Sequence, residues 1–344
     1  MKRLQKAILY SLLIIGVLLS AGITATIGWR PFIGPKARPL TERRIEPTPA
    51  RLERGEYIVR NVAGCLFCHS DLDPSIEGLP IKAGADGAGR PLTAEDMPWL
   101  TAPNLTPDDD AGAGAWTDDT LARAIREGIG HDGRTLFPMM PYQNYAKMSD
   151  EDLASVITYI RSLPAIQREH PATAIPFPVN RLINSVPQPI EAAVPPPDLG
   201  TPEKRGQYLV TLASCSDCHT PMDDRGQFIK GLEFAGGNIL KYGDARAPRA
   251  AMNLTPAPSG IPYYNEALFL ETIRTGRVRE RQISDVMPWG HYRKMTDEDL
   301  KAIFAYLKTL KPVDHTVDNA LPATPCEKCG LSHGGGERNK KTES

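Results

Sequence analysis

The chain opens with the basic residues Lys2, Arg3 and Lys6, followed by an uncharged run over 7–27. Those 21 residues include Leu9, Leu12, Leu13, Ile14, Ile15, Val17, Leu18 and Leu19. At about 1.5 Å per residue, a helix of this length crosses a hydrocarbon layer roughly 30 Å thick. A cleaved signal peptide is the competing reading, but its apolar region spans only about 7–15 residues. Ser20-Ala21-Gly22 and Thr24-Ala25-Thr26 are weak cleavage sites. Basic residues ahead of the span make 1–30 a cytoplasmic tip and transmembrane anchor, with everything beyond about Trp29 outside the cytoplasmic membrane, in the periplasm. No cysteine follows the run closely enough to serve as a lipid attachment point.

Beyond the anchor, helical periodicity comes in two matching sets. It predicts helices over 51–62 and 203–212, and over 118–127 and 265–275, the latter two ending at Gly128 and Gly276 as C-terminal caps. A last pair starts at Ser149 and Thr296, each with an acid three residues on, as in a capping box. Leu153, Val156, Ile157 and Ile160, like Leu300, Ile303, Phe304 and Leu307, fall on one helical face.

The landmarks between these helices repeat as well. Arg54-Gly55-x-Tyr57 recurs as Arg205-Gly206-x-Tyr208, and Asn104-Leu105-Thr106-Pro107 as Asn253-Leu254-Thr255-Pro256. Met140-Pro141-Tyr142 through Leu153 recurs as Met287-Pro288-Trp289 through Leu300. So long an offset means two copies of one domain, at 50–163 and 201–311. Residues 164–200 form a Pro-rich linker, read as extended and stiff where Pro195-Pro196-Pro197 cluster. Residues 312–344 are a C-terminal extension whose polar part after Gly336 reads as disordered.

Composition adds little to this picture. Lys and Arg number 40 against 41 Asp and Glu, a net charge of -1, which offers nucleic acid no basic surface. The 32 prolines and 29 glycines point to short helices joined by loops.

The six cysteines carry the chemistry. Cys65-Leu66-Phe67-Cys68-His69 and Cys215-Ser216-Asp217-Cys218-His219 are two copies of C-x-x-C-H, the attachment signature of c-type haem. Two thiols at this spacing add to the two vinyl groups of one porphyrin, and the adjacent histidine is the proximal iron ligand. A lone C-x-x-C would equally suit a redox dithiol or half a zinc site. Two copies inside a repeated, exported domain favour two covalently bound haem c groups.

The sixth ligand decides between carrying electrons and reacting with oxygen or peroxide. Met140 and Met287 stand at equivalent places in Met-Pro loops stiffened by proline, so the expected axial pairs are His69/Met140 and His219/Met287. Met139 competes with Met140, although the second copy has Val286 at that position. Met148 and Met295 read as staples or core residues, and Met97, Met222 and Met252 as packing. His131 reads as an exposed loop residue, and Tyr57, Tyr159, Tyr208 and Tyr306 as core or helix-contact aromatics.

Taken together, Arg-Gly-x-Tyr, C-x-x-C-H, Asn-Leu-Thr-Pro-Asp, Gly-x-Gly-Ala-Trp-Thr-Asp (112–118), Ala-Ile-Arg-Glu-Gly (124–128), Asp-Gly-Arg-Thr-Leu-Phe-Pro and Met-Pro-Tyr resemble the membrane-bound cytochrome c subunits of bacterial alcohol, aldehyde and gluconate dehydrogenases. The resemblance covers most of 50–163 and, more weakly, 201–311. It implies an all-α chain with two tandem class I cytochrome c domains after one N-terminal transmembrane helix. It also implies electron transfer from a dehydrogenase subunit towards quinone or an oxidase. Members of that family usually carry one further cytochrome domain.

Two functional classes follow. In the first, the chain is not itself an enzyme but a membrane-anchored electron carrier, serving redox-protein partners or a respiratory or dehydrogenase complex. In the second it is a peroxidase-like dihaem enzyme, against which the symmetry of Met140 and Met287 argues. A dihaem subunit of a terminal oxidase complex competes within the carrier class. Cys326-Glu327-Lys328-Cys329 lacks the histidine of a third haem motif, Gly330 standing in its place. A short disulfide in an oxidising compartment is one reading. A metal site of Cys326, Cys329 and His333 is the other, and it needs a fourth ligand from elsewhere.

Overall fold

The computed structural model describes residues 2–92, 97–240 and 249–340. Helix α1 (Lys2–Ala25) contains all but the last two residues of the apolar run and is the one helix, among the described residues, long and apolar enough to cross a membrane. Its Leu9, Leu12, Ile15 and Leu19 are all exposed. The indole of Trp29, just past its end, donates to Thr24 Oγ1.

The backbone separates into two compact units. One comprises Met1–Arg44, Thr117–Ala146 and Ile175–Ala192, the other Ile45–Trp116, Lys147–Ala174 and Ala193–Ser344. In the first unit, helix α2 (Asp118–Glu127) is capped at its start by Thr117 and ends at Gly128 in the left-handed conformation. Arg38 reaches Asp119 with two hydrogen bonds and Glu127 with one. Burial pushes the Asp119 carboxyl up, but Arg38 and the Thr41 amide outweigh it and hold the group below its usual range. A Cβ on Gly128 would lie 2.5 Å from the Tyr142 ring, so the aromatic of Met-Pro-Tyr lies directly on the glycine cap.

In the second unit, two helix pairs have the same construction. Helix α3 (Pro49–Tyr57) continues into a π-turn at Ile58–Val62 and crosses α4 (Asp150–Ser162); α5 (Pro202–Leu212) crosses α6 (Asp297–Thr309). The central glycine of each Arg-Gly-x-Tyr sits at the crossing. A Cβ on Gly55 would lie 2.0 Å from Ser155 O, and one on Gly206 1.9 Å from Ala302 O. Helix α7 (Glu266–Thr275) packs on α6 through Phe269 and Phe304, ring centroids 5.3 Å apart. It ends at Gly276 under Trp289, as Gly128 lies under Tyr142.

Each capping box expected at Ser149 and Thr296 contains an inserted tyrosine from the other copy. The Ser149 and Thr296 side chains accept from the amides of Asp152 and Asp299, as N-caps do. The reciprocal bond differs. The Ser149 amide donates to Tyr208 Oη, which donates to Asp152 at 2.7 Å. The Thr296 amide donates to Tyr57 Oη, which donates to Asp299 at 2.5 Å. Arg54 and Arg205 complete the pattern by pairing with Asp152 and Asp299. The three fixed residues of Arg-Gly-x-Tyr therefore all hold helices in place. Arg and Gly act within their own copy, and Tyr reaches across to the other.

The structure is mostly helical but differs from an all-α chain by four antiparallel two-stranded ladders among the described residues: β1 (Arg90–Pro91) with β2 (Thr101–Ala102), β3 (Ile239–Leu240) with β4 (Arg249–Ala250), β5 (Arg277–Val278) with β6 (Arg281–Gln282), and β7 (Ala323–Pro325) with β8 (Ser332–Gly334). Strands of two or three residues are too short to leave an alternating pattern.

The linker carries one regular element, and the expectation for the C-terminal tail needs correction. Residues 179–185 of the linker form a short helical turn. Gly336–Arg338 forms a 3₁₀ turn, and Asn339 is buried, bonded to both Thr316 and Gly335; the disorder expected after Gly336 concerns, beyond these, residues 341–344, outside the described part. Met148 and Met295 are each 1% exposed and belong to the core, and His131 is exposed.

Candidate haem sites

Both C-x-x-C-H segments are single helical turns entered through a left-handed residue, Gly64 in the first copy and Ser214 in the second. Each preceding helix delivers the chain into that turn, and the carbonyl of the first cysteine accepts the His69 amide in the first copy. The Asn-Leu-Thr-Pro loop then positions the histidine. Asn104 Oδ1 accepts from the amide and hydroxyl of Thr106, and its Nδ2 donates to the carbonyls of Ile166 and Arg168. Asn253 repeats all of this with Thr255, Val313 and His315. The loop so held offers the carbonyl preceding its asparagine to the imidazole: His69 Nδ1 meets Pro103 O at 2.8 Å, and His219 Nδ1 meets Met252 O at 2.7 Å.

This arrangement fits a haem iron. With Nδ1–H committed to a carbonyl, the ring keeps the tautomer whose Nε2 is the metal-binding atom. Burial pushes both imidazoles below their usual range, which keeps them neutral, the ligating form. Burial likewise pushes the Cys65 and Cys215 thiols up to about 12, and all four motif cysteines are free.

A second observation concerns His291, which belongs to no sequence motif. Neither of its ring nitrogens has a hydrogen-bond partner, and burial drives it down to about 3. It lies 5.5 Å from the Phe67 ring and 3.9 Å from that of Tyr292; a Cβ on Gly64 would meet its Nε2 at 2.5 Å. Tyr292 in turn donates to Ala213 O, just ahead of the second motif. A pair of second-copy side chains thus joins the two attachment segments. The repeat does not mark this histidine either, because its counterpart in the first copy is Asn144.

Met140 and Met287 occupy the same turn in their copies. Each amide donates to the carbonyl three residues back, and each carbonyl accepts from the aromatic two residues on, around Pro141 and Pro288 in an inverse γ-conformation. Both methionines are half-buried. Val286, next to Met287, clusters with Leu240 and Ala251, and Cys218 packs on that cluster. The methionine loop of the second copy therefore lies beside its attachment segment.

Cys326 and Cys329 are free thiols, buried together with His333 and with His315, a residue outside the sequence-predicted set.

Residues 50–160 match the family described as "Cytochrome C oxidase, cbb3-type, subunit III". Over 268 residues the chain is 32% identical to the "Diheme cytochrome c-type" of Cereibacter sphaeroides, covering 76% of this chain and 86% of that protein. It is 27% identical to the cytochrome c subunit of the quinone alcohol dehydrogenase of Gluconobacter oxydans (77% of this chain, 55% of that one). It is 30% identical to the gluconate 2-dehydrogenase cytochrome c subunit of Pantoea cypripedii (77% and 60%). The chain spans little more than half the length of these two dehydrogenase subunits. Sequence motif, histidine geometry and similarity converge, and the chain belongs to the c-type cytochrome family that includes the dihaem protein of Cereibacter sphaeroides, whose members are haem-bearing electron-transfer proteins.

Proposed function

We propose that this chain is a membrane-anchored carrier with two covalent haem c groups, accepting electrons from a dehydrogenase and passing them into a respiratory chain. Cys65, Cys68 and His69 would hold one group with Met140, and Cys215, Cys218 and His219 the other with Met287. The observation that carries this reading is the duplicated orientation of His69 and His219 by Pro103 and Met252 carbonyls. Each haem, when bound, exchanges one electron, and a thioether as sixth ligand raises its potential and closes the iron to small ligands. The polypeptide supplies ligands, exclusion of water and docking surface. The turn common to Met140 and Met287 favours Met140 over Met139, whose counterpart Val286 lies in the core cluster.

The basic residues Lys2, Arg3 and Lys6, ahead of the apolar run of α1, favour haem domains on the periplasmic side. The relatives that are dehydrogenase cytochrome subunits favour a dehydrogenase as electron donor.

The test is haem content per chain, read from the alkaline pyridine haemochrome spectrum. The native protein should carry two haems. Cys65→Ala/Cys68→Ala should carry one, as should Cys215→Ala/Cys218→Ala. One haem in the native protein would refute the two-site assignment.

A further inference from the structure

Beyond the haem sites, the C-terminal extension brings four metal-binding side chains to one point. His315, Cys326, Cys329 and His333 are 0–4% exposed, and their ligand atoms all lie within 4.8 Å of one another. We propose that they bind one zinc ion in a tetrahedral Cys2His2 site that staples the extension to the second cytochrome copy.

The distances suit this metal. Zn–S of about 2.3 Å and Zn–N of about 2.0 Å imply a tetrahedral S···N edge of about 3.5 Å. His315 Nε2 lies 3.3 Å from Cys326 Sγ, and His333 Nε2 lies 3.4 Å from Cys329 Sγ. Both histidines present Nε2 because their Nδ1 atoms face backbone carbonyls, Ala235 O at 2.9 Å and Gly334 O at 3.2 Å. That outer contact fixes the tautomer a zinc-bound histidine needs.

The cysteines sit in a tight knuckle between β7 and β8. The Cys329 amide points to Cys326 Sγ, the Gly330 amide donates to Cys326 O, and Gly330 takes a positive φ of 73°. Two thiolates and two neutral imidazoles around a divalent cation leave no net charge, which is what burial favours. Binding converts two thiols to thiolates and releases two protons for each ion taken up.

The extension has little apolar core of its own. Among its described residues, Val317 is the one buried apolar side chain besides the two cysteines. A lone two-stranded hairpin is marginal in water, and a structural metal is the usual remedy for so small a core. The staple reaches the haem side of the second copy. Ala235 O receives His315, and the next residue's amide, Gly236 N–H, donates to His219 O. Asn319 bonds both the amide and the carbonyl of Ala250, two residues before Met252. The first copy has Arg168 and His170 in the corresponding strap and no cysteine pair there, so the site is particular to the second copy.

The test uses the full chain purified without chelator or histidine tag. Zinc is counted per chain by elemental analysis against amino-acid content, and cysteine state is read by maleimide mass shift. Those readouts do not depend on haem ligation. About one zinc per chain is expected, lost in Cys326→Ser/Cys329→Ser and weakened at least tenfold in His315→Ala. In the native chain, Cys326 and Cys329 should become maleimide-reactive only after a chelator is added. A zinc-free chain that takes up no added zinc overturns the proposal. So does a chain whose two cysteines react only after reductant, the mark of a Cys326–Cys329 disulfide. Full zinc content in the double-serine variant would equally overturn it.

Discussion

Gly206→Ala is expected to lower the unfolding midpoint of the holoprotein by roughly 10 °C, and Gly55→Ala to do the same. The added methyl would sit 1.9 Å from Ala302 O, 2.5 Å from Ala302 C and 2.8 Å from Tyr306 Cβ. Two of these atoms are backbone on a packed helix, so no rotamer change relieves the contact, and α5 must move off α6. Overpacking costs about 1–3 kcal/mol even where side chains can adjust, and a backbone clash belongs at or above the top of that range. For 150–250 residues each kcal/mol is worth roughly 2–4 °C. Alanine would otherwise favour an interior helical position by about 1 kcal/mol, so the sign of the result is informative. Differential scanning calorimetry reads it. A neutral or raised midpoint would mean that the helices do not cross where the structure places them.

Asp299→Ala carries the second large effect, about 3 kcal/mol of destabilisation, with Asp152→Ala close behind. Asp299 is 2% exposed and holds Arg205 and Tyr57 at once. Removing a buried carboxylate strands both partners, a loss of about 3–5 kcal/mol when the pair is wholly buried. The partial exposure of Arg205 brings the expectation to the low end. Tyr57→Phe removes two hydrogen bonds, the one donated to Asp299 and the one accepted from the Thr296 amide, and should cost about 1–2 kcal/mol. Tyr57→Phe/Tyr208→Phe should loosen the two copies from each other with little change in either. Urea unfolding of the variants gives these values.

The same tyrosines predict an alkaline limit. Burial, with Asp299 alongside, pushes Tyr57 up to about 12; burial and Asp152 raise Tyr208. A phenol whose folded-state value is raised contributes stability that is complete below its unfolded value near 10 and lost as pH climbs through the folded value. The native protein should therefore lose stability between about pH 10 and pH 12, and Tyr57→Phe/Tyr208→Phe should lose less over that window.

Much of this architecture is legible in the sequence because its signals are local. The helix caps at Ser149 and Thr296, and the glycine stops at Gly128 and Gly276, stand where spacing puts them. The repeat itself shows that Arg-Gly-x-Tyr and Asn-Leu-Thr-Pro matter. It does not show why, because the acceptors of Tyr57 and Tyr208 lie more than fifty residues away in the other copy. His315 escapes notice as a companion of Cys326 and Cys329 for a similar reason. It precedes the hairpin in a strap with no metal-ligand spacing to the pair, and hydrogen bonds to Asn253, Ser259 and Ala235 hold it there. His291 leaves no trace at all, since a half-buried histidine between two aromatic rings has no sequence pattern of its own.

Carbon monoxide binding to the reduced protein, read together with the near-infrared absorption of the oxidised form, tests the carrier assignment most directly. Two irons closed by Met140 and Met287 should leave the reduced spectrum unchanged by carbon monoxide, with the weak near-infrared band of methionine-ligated ferric haem present; Met287→Ala should open one iron and Met140→Ala the other. A native protein in which either haem binds carbon monoxide readily, or is high-spin when oxidised, would contradict that assignment and point to dihaem peroxidase-like chemistry instead.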